Sequence, residues 1–270
     1  MRLNQKQSDS SKENKHQTNS STVEIIPISG LPKITQSDNL ALMILRTMKK
    51  NRQEIKKRDI VVIAHTVVSI AEGRLVKTAD IIVSPSAERL ALSNERKPLK
   101  IQAALNEAQE IIREEPVLIT RTKHGFITDM SGIDESNAPE GYYVLLPDDS
   151  DKSANEISKS LSQVYGFRIP VIITDTQGRP WRRGAVNLAI GLSGMSPFTV
   201  NAGQRDLFGR ELKSSLVCIA DELAAASELV MGQADEGIPV AIIRGIDWTE
   251  SKEIAKDILR EKTEDLFLQH

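Results

Sequence analysis

Short apolar runs alternate with segments of helical periodicity along most of the chain, and that alternation restricts the fold to sheets covered by helices. Strand-length runs occur at residues 23–28, 60–64, 169–174 and 238–243, and the run Ile60–Ala64 has no polar break, as a buried strand requires. Between them, Leu40, Met43, Ile44 and Met48 recur at helical spacing and predict a helix over residues 37–50, opened by a capping Ser37/Asp38 pair. Ile101, Ala104, Leu105, Ala108, Ile111 and Ile112 mark one face of a second helix over residues 99–115. Asp151 is placed to cap a helix running to Tyr165; residues 216–231 and 249–268 also have helical patterns, the last charged and amphipathic. Further short strands are expected at residues 117–120, 125–128, 142–146 and 185–192. Strands this short and this close together suit mixed or antiparallel sheets, so the expected class is α+β and not a clean doubly wound fold.

Composition narrows the function. The 270 residues carry 35 Lys and Arg against 37 Asp and Glu, a net charge of −2, which lacks the broad positive field of a non-specific nucleic-acid binder. Cys218 is the single cysteine, so an intramolecular disulfide and a thiolate metal cluster are both excluded. No stretch approaches the roughly 18 apolar residues of a membrane span, and the first twenty residues lack a secretory apolar core. A soluble, cytoplasmic protein without a nucleic-acid or membrane partner is expected. Residues 1–21 are almost all polar, too little to offset the entropy of ordering them, and read as a disordered tail. A main domain over residues 22–250 and a C-terminal amphipathic helix over 251–270 complete the expected organisation.

The strongest chemical signal lies at residues 174–184, where Asp175 and Thr176 end an apolar strand and a loop bearing Gly178, Arg179, Arg182 and Arg183 follows. A rigidly held carboxylate beside glycines and arginines suits a metal with phosphate. The plainer alternative is a strand-to-turn junction with a solvated basic loop. A second constellation runs from Gly132 through Asp134 to Asn137, preceded by His124. Hard cations bind through one or two carboxylates and keep phosphate or water as further ligands, so Asp134 and Asp175 can form such a site from separate segments. Taken alone, residues 134–137 also have ordinary turn chemistry. His124 has no ligand spacing with another histidine and is read as structural. Residues 30–34 and 231–238 are the remaining glycine-bearing segments; Gly232 as a helix cap and Gly237 as a turn residue explain the second locally. No Walker lysine motif, dinucleotide fingerprint, nucleophile elbow or zinc signature is present.

In register over nearly the whole chain, these segments resemble the coenzyme F420:L-glutamate ligase family. The matching residues are Gly30, Leu31 and Pro32; Val67 to Ser69 with Ala71 to Arg74; His124 to Phe126; Gly132 to Asp134 with Ser136 and Asn137; Leu145 to Pro147; Asp151 with Ser153 and Ala154; Asp175 and Thr176 with Gly178 to Arg182; Asp221 to Ala224; and Arg244 with Gly245. Each stretch is weak alone. Their shared order makes coincidence untenable.

The resemblance implies GTP-dependent attachment of L-glutamate to the lactyl carboxylate of the F420 precursor, coenzyme F420-0, through an acyl phosphate, followed by a second, γ-linked glutamate. It also implies an intertwined homodimer of two subdomains, two divalent ions (Mg²⁺ or Mn²⁺) and K⁺. Carried over by position, Asp134 and Asp175 hold the first metal, and Thr176 and Gln233 contact the second. Leu31, Pro32, Lys33, Ile34, His65, Thr66, Asn137, Met231, Gly232, Gln233, Ala234, Asp235, Glu236, Gly237 and Ile238 line the GTP site. Arg179 and Arg182 are both candidates for a substrate phosphate or carboxylate contact, Arg179 being grouped with the catalytic aspartates Asp134 and Asp175. Where the family commonly has a lysine touching GTP, this chain has Ile70, so that cationic contact is either lost or supplied elsewhere, with Lys33 and Arg74 as the candidates. The alternatives are a non-catalytic deazaflavin-binding protein and a metal-dependent phosphohydrolase.

Overall fold

The computed structural model describes residues 22–267, and the tail expected over residues 1–21 lies outside them. In chain order the elements are β1 (Glu24–Pro27), α1 (Leu40–Lys50), β2 (Ile60–Ala64), α2 (His65–Ala71), β3 (Leu75–Lys77), α3 (Pro85–Asn94), α4 (Pro98–Glu107), β4 (Ala108–Arg113), β5 (Ile119–Thr122) and β6 (Ile127–Asp129). They continue with β7 (Tyr142–Val144), α5 (Ser150–Tyr165), β8 (Val171–Arg179), β9 (Arg182–Ser193), β10 (Phe198–Val200), β11 (Leu216–Cys218), α6 (Ile219–Met231) and β12 (Val240–Arg244). The main sheet has the order β1-β12-β2-β8-β9, and only β2 and β8 run parallel. The fold is mixed α and β with mixed and antiparallel sheets, as the sequence predicts.

The unbroken apolar run of β2 places it at the centre of the sheet, with Ile60 to Ile63 fully buried. Alternation along the strands sends Val61, Ile63, Val171, Ile173 and Ile242 to a core shared with α1 and α5. Ile60, Val62, Ile172, Ala241 and Ile243 face the opposite core, which α6 covers through Leu223 and Ala224. A smaller core of Leu90, Ile101, Leu118 and Tyr143 joins α3 and α4 to the neighbourhood of the β4-β5-β6 sheet. Helix α5 meets β9 so closely that any side chain at Gly191 would strike the Ser150 carbonyl, which is why glycine stands there. Among the described residues no helix is long and apolar enough to cross a membrane.

Several boundaries differ from the sequence expectation, each for a local reason. Helix α1 is capped by Asn39, whose side chain accepts the Leu42 N–H at 2.9 Å; Asp38 is already taken by Thr35. Helix α4 stops at Glu107, and the residues expected to extend it form β4, where Ile111 pairs with Thr120; β-branched residues favour that state once a partner strand exists. Residues 216–218 form β11 opposite β10 before α6 begins. Asp149, and not Asp151, caps α5 by accepting the Lys152 N–H at 3.0 Å. Asp151 turns inward and accepts the backbone N–H of Leu192 and of Ala255, both at 2.8 Å.

That anchor also explains why the C-terminal helix expected over residues 251–270 does not form within the described part, residues 251–267. The N–H of Ala255 is given to a distant carboxylate, Ala255 is fully buried, and residues 251–267 hold only two 3₁₀ turns, Ala255–Ile258 and Lys262–Glu264. Tertiary burial has overridden an amphipathic pattern.

Candidate active site

One wall of the site follows from the parallel pairing of β2 with β8. Ala64 lies opposite Thr174, so the next residues, His65 opening α2 and Asp175 within β8, sit side by side. His65 Nε2 is 3.2 Å from Asp175 Oδ1, and His65 Nδ1 is 3.4 Å from Ser69 Oγ. The same carboxylate oxygen accepts the Thr176 N–H at 2.8 Å. Asp175 is only 9% exposed, and its second oxygen has no protein donor among the described residues. Burial opposes the imidazolium of His65, yet the charge and hydrogen bond of Asp175, reinforced by the charge of Asp134, outweigh it and raise the His65 pKa above its ordinary value.

The facing wall is built from loops. Asp134 exchanges backbone hydrogen bonds with Val144 at 2.9 and 3.0 Å, and its Oδ1 accepts from the Ser136 N–H at 2.8 Å and the Ser136 hydroxyl at 2.6 Å. Its Oδ2 is turned to Thr66 Oγ1 at 3.4 Å. Thus Asp134 meets Thr66 and Asp175 meets His65, two adjacent residues at the start of one helix. The backbone of this wall is unusual: Met130, Ser131 and Asn137 all have positive φ (50°, 54° and 55°), a conformation that non-glycine residues adopt only when their surroundings impose it.

A polar network links these walls to the residues after α6. Thr176 Oγ1 donates to Asn187 Oδ1 at 2.6 Å and accepts from Gln233 Nε2 at 2.8 Å. Gln233 Nε2 also reaches Glu228 Oε1 at 2.6 Å, and Glu228 Oε2 accepts the Asn187 N–H at 3.2 Å. Asn137 Nδ2 donates to the Ala234 carbonyl at 3.3 Å, closing the ring of segments. Gly232 takes φ +70°, ψ −177°, and a side chain there would fall on the Glu236 carboxyl, which accepts the Ala234 N–H at 2.8 Å.

These segments enclose a cavity of about 490 Å³. It is lined by Leu31, Pro32, Lys33 and Ile34, by His65 and Thr66, by Asp134 and Asn137, by Asp175 and Thr176, and by Met231, Gly232, Gln233, Ala234, Glu236, Gly237 and Ile238. Of the residues singled out in the sequence, Asp235, His124, Arg74 and the arginines Arg179, Arg182 and Arg183 are not in its lining. The glycine- and arginine-bearing segment expected as a loop after Thr176 is instead the end of the β8–β9 hairpin, which turns at Pro180 and Trp181. There Arg179 donates to the carbonyls of Arg183 (2.7 Å) and Gly184 (3.2 Å), so this chain does not bring it to the aspartates.

Sequence reasoning missed Asn187, Glu228, Arg96 and Lys100. Asn187 and Glu228 sit in unremarkable strand and helix sequence, and only the β8–β9 pairing, Thr176 opposite Asn187, reveals the first. The basic residues Arg96, Lys97 and Lys100, close together in the chain, are a visible signal for the other two. Ile70 lines the cavity without charge, and Arg74 does not replace a cation there: it is held by Glu107 at 2.6 Å, Asp148 at 3.1 Å and the Leu146 carbonyl at 2.9 Å. Lys33 does reach the cavity. His124 lies outside the lining, consistent with a structural role.

The donor set is all oxygen: two carboxylates, the Thr176 hydroxyl and the Gln233 amide. Among the described residues no group of three His, Cys, Asp or Glu converges.

The chain matches the family of F420-0:Gamma-glutamyl ligases over residues 30–245. It is 42% identical over 248 residues to the coenzyme F420:L-glutamate ligase of Methanothermobacter thermautotrophicus, an alignment covering 91% of this chain and 98% of that one. The corresponding protein of Methanopyrus kandleri is 43% identical over 251 residues, covering 91% and 98%. That of Methanocaldococcus jannaschii is 46% identical over 214 residues, covering 79% and 86%. The matched span contains every segment that builds the cavity, from Leu31 to Ile238, and the chain therefore belongs to the F420-0:gamma-glutamyl ligase family.

Proposed function

We propose that this protein uses GTP to join L-glutamate to the lactyl carboxylate of F420-0 through an acyl phosphate, and then adds a second glutamate by a γ-linkage. The observation that carries the reading is the meeting of Asp134 and Asp175, from separate segments, in one cavity walled by residues 31–34 and 231–238. The named relatives, coenzyme F420:L-glutamate ligases, support it.

A carboxylate does not react with an amine because its oxygen is a poor leaving group. In the first step a lactyl carboxylate oxygen attacks the γ-phosphorus of GTP, the bond to the β–γ bridging oxygen breaks, and GDP leaves. In the second, the glutamate amine attacks the acyl carbon, phosphate departs with the C–O electron pair, and the amine gives up a proton. Asp134 and Asp175 would hold one divalent ion, Mg²⁺ or Mn²⁺, and Thr176 and Gln233 would contact a second, with K⁺ assisting. Bound there, such ions neutralise phosphate charge as anionic reactants approach.

The protein's own contribution is placement. His65 and the Thr176 N–H hold one oxygen of Asp175 and leave the other without a protein donor among the described residues, whereas Ser136 holds one oxygen of Asp134 and Thr66 meets the other at 3.4 Å. Gln233 spends its amide nitrogen on Thr176 and Glu228, which leaves its amide oxygen for a ligand. The ring of polar contacts keeps these groups in position before substrate arrives. The working form in this reading is a homodimer.

Mass spectrometry of a reaction containing F420-0, GTP, Mg²⁺ and L-glutamate tests the proposal. One or two glutamyl additions, with GDP and phosphate released only when all components are present, are expected. Asp175→Ala lowers that turnover by at least about a hundredfold, the scale of losing one preorganised electrostatic group. Phosphate release without glutamate, or full turnover by the variant, refutes the assignment.

A further inference from the structure

The cavity has a cationic flank that neither the aspartate site nor the nucleotide-lining segments account for. Arg96 and Lys100 both line it, at the junction of α3 with α4. Lys97, between them in sequence, pairs with Glu135 at 2.5 Å, next to Asp134. The charge of Lys100 also acts on Glu135. One turn further into α4 the Ala104 carbonyl accepts the Ser131 hydroxyl at 2.7 Å. The start of α4 is therefore clamped to the Asp134 loop at two points. This fixes Arg96 and Lys100 beside the loop that carries one of the aspartates.

Neither of these two cations makes an ion pair among the described residues. Arg96 has only a long contact, 3.4 Å, to the neighbouring Glu95 carbonyl. Surface lysines and arginines elsewhere in this lobe do find carboxylates: Arg89 with Glu114, Lys123 with Glu107, Arg121 with Glu110. Lys33 adds a third cation to the lining. The cavity thus holds carboxylates and cations together. A metal ion is drawn to the first and repelled by the second, so an additional, anionic group is needed to make use of the cationic flank.

We propose that Arg96 and Lys100 form an oxyanion subsite that takes a phosphate or carboxylate group of a substrate and holds it alongside Asp134. The inference rests on the ligase reading, whose substrates all carry such groups. Arginine offers a planar fork and lysine a compact charge, a pairing suited to a tetrahedral or planar oxyanion. The subsite also supplies positive charge to a cavity in which Ile70 supplies none.

Equilibrium binding of GTP, F420-0 and L-glutamate to the full chain in Mg²⁺ tests this, using Arg96→Gln, Lys100→Gln and their combination. The double variant binds one of the three ligands about tenfold or more weakly, as loss of a charge-assisted hydrogen bond implies, and the affected ligand identifies the source of the oxyanion. Arg96→Lys with Lys100→Arg restores binding to within about threefold, because charge and not shape alone is needed. The salt dependence of that ligand's affinity becomes shallower in the double variant. Arg96 is exposed and Lys100 half-buried, and thermal unfolding verifies that the variants remain folded. Unchanged affinity for all three ligands overturns the subsite. Wild-type turnover, measured in parallel, separates the outcomes: glutamylated product with unaltered variant binding removes the subsite alone, and a wild-type chain that binds none of the ligands removes both.

Discussion

Replacing Gly232 by alanine isolates the contribution of the loop after α6 to ligand binding. The native φ of +70° and ψ of −177° lie in a region open essentially to glycine alone, and holding alanine there costs about 1–3 kcal/mol. The new methyl group also falls on the Glu236 carboxyl. That side chain can swing away, but in doing so it gives up the Ala234 N–H, a charge-assisted bond worth about 1.5–3 kcal/mol. Residues 233–237 are exposed, so the unliganded variant relaxes into another loop conformation at little cost in global stability. Binding must then restore the native loop, because Gln233, Ala234 and Gly237 line the cavity. If the proposed GTP site is correct, the combined penalty of about 2.5–6 kcal/mol weakens nucleotide affinity by roughly sixtyfold at its lower bound, since about 1.4 kcal/mol is tenfold. Titration with a fluorescent GTP analogue, alongside a thermal melt, reads both quantities. A dissociation constant within about threefold of wild type, with the fold intact, would show that this loop does not bear on the nucleotide.

Asp151→Ala strips the acceptor from the buried N–H groups of Leu192 and Ala255, so unfolding free energy falls by about 2–6 kcal/mol in urea titration. Asp151→Asn, which keeps an acceptor oxygen, loses less; equal losses would show that acceptance of these two N–H groups is not what Asp151 contributes. His124 titrates below its ordinary value of 6.5 because burial, and then the charges of Arg74 and Lys256, disfavour the imidazolium against the weaker opposing pull of Glu107 and Asp148. A depressed folded pKa gives stability that is present above pH 6.5 and lost as pH falls through the folded value. His124→Asn therefore has a melting temperature that declines less between pH 7 and pH 5 than that of wild type, by the arithmetic of that linkage. An identical decline in the two proteins would remove His124 from the acid response.

Much of the main sheet is legible in the sequence because its signals are local. The unbroken apolar run fixes β2 to the residue, and helical spacing finds α1 and α5 within a few residues. What fails is what depends on partners. Ile111 and Ile112 fit either a helix or a strand until β5 is present to pair with β4. The basic residues after Thr176 look like a phosphate loop until β9 turns them into a hairpin whose Arg179 serves its own turn carbonyls. Asp134 and Asp175 were both visible as candidates, but no spacing rule relates them. Their meeting depends on α2 receiving Asp134 through Thr66 and Asp175 through His65. Asn187 and Glu228 carry no motif at all; they become site residues only through cross-strand register and helix packing.

The two aspartates are mounted unequally. Asp175 belongs to a strand bonded on both sides, next to Thr174 paired with Ala64 and itself opposite Leu188, whereas Asp134 hangs from a single bridge to Val144 in a strained loop. Anything held between them meets one carboxylate set by the register of the main sheet and another set by a loop, whose side-chain contacts to Ser136 and Thr66 do the work that cross-strand pairing does for its counterpart.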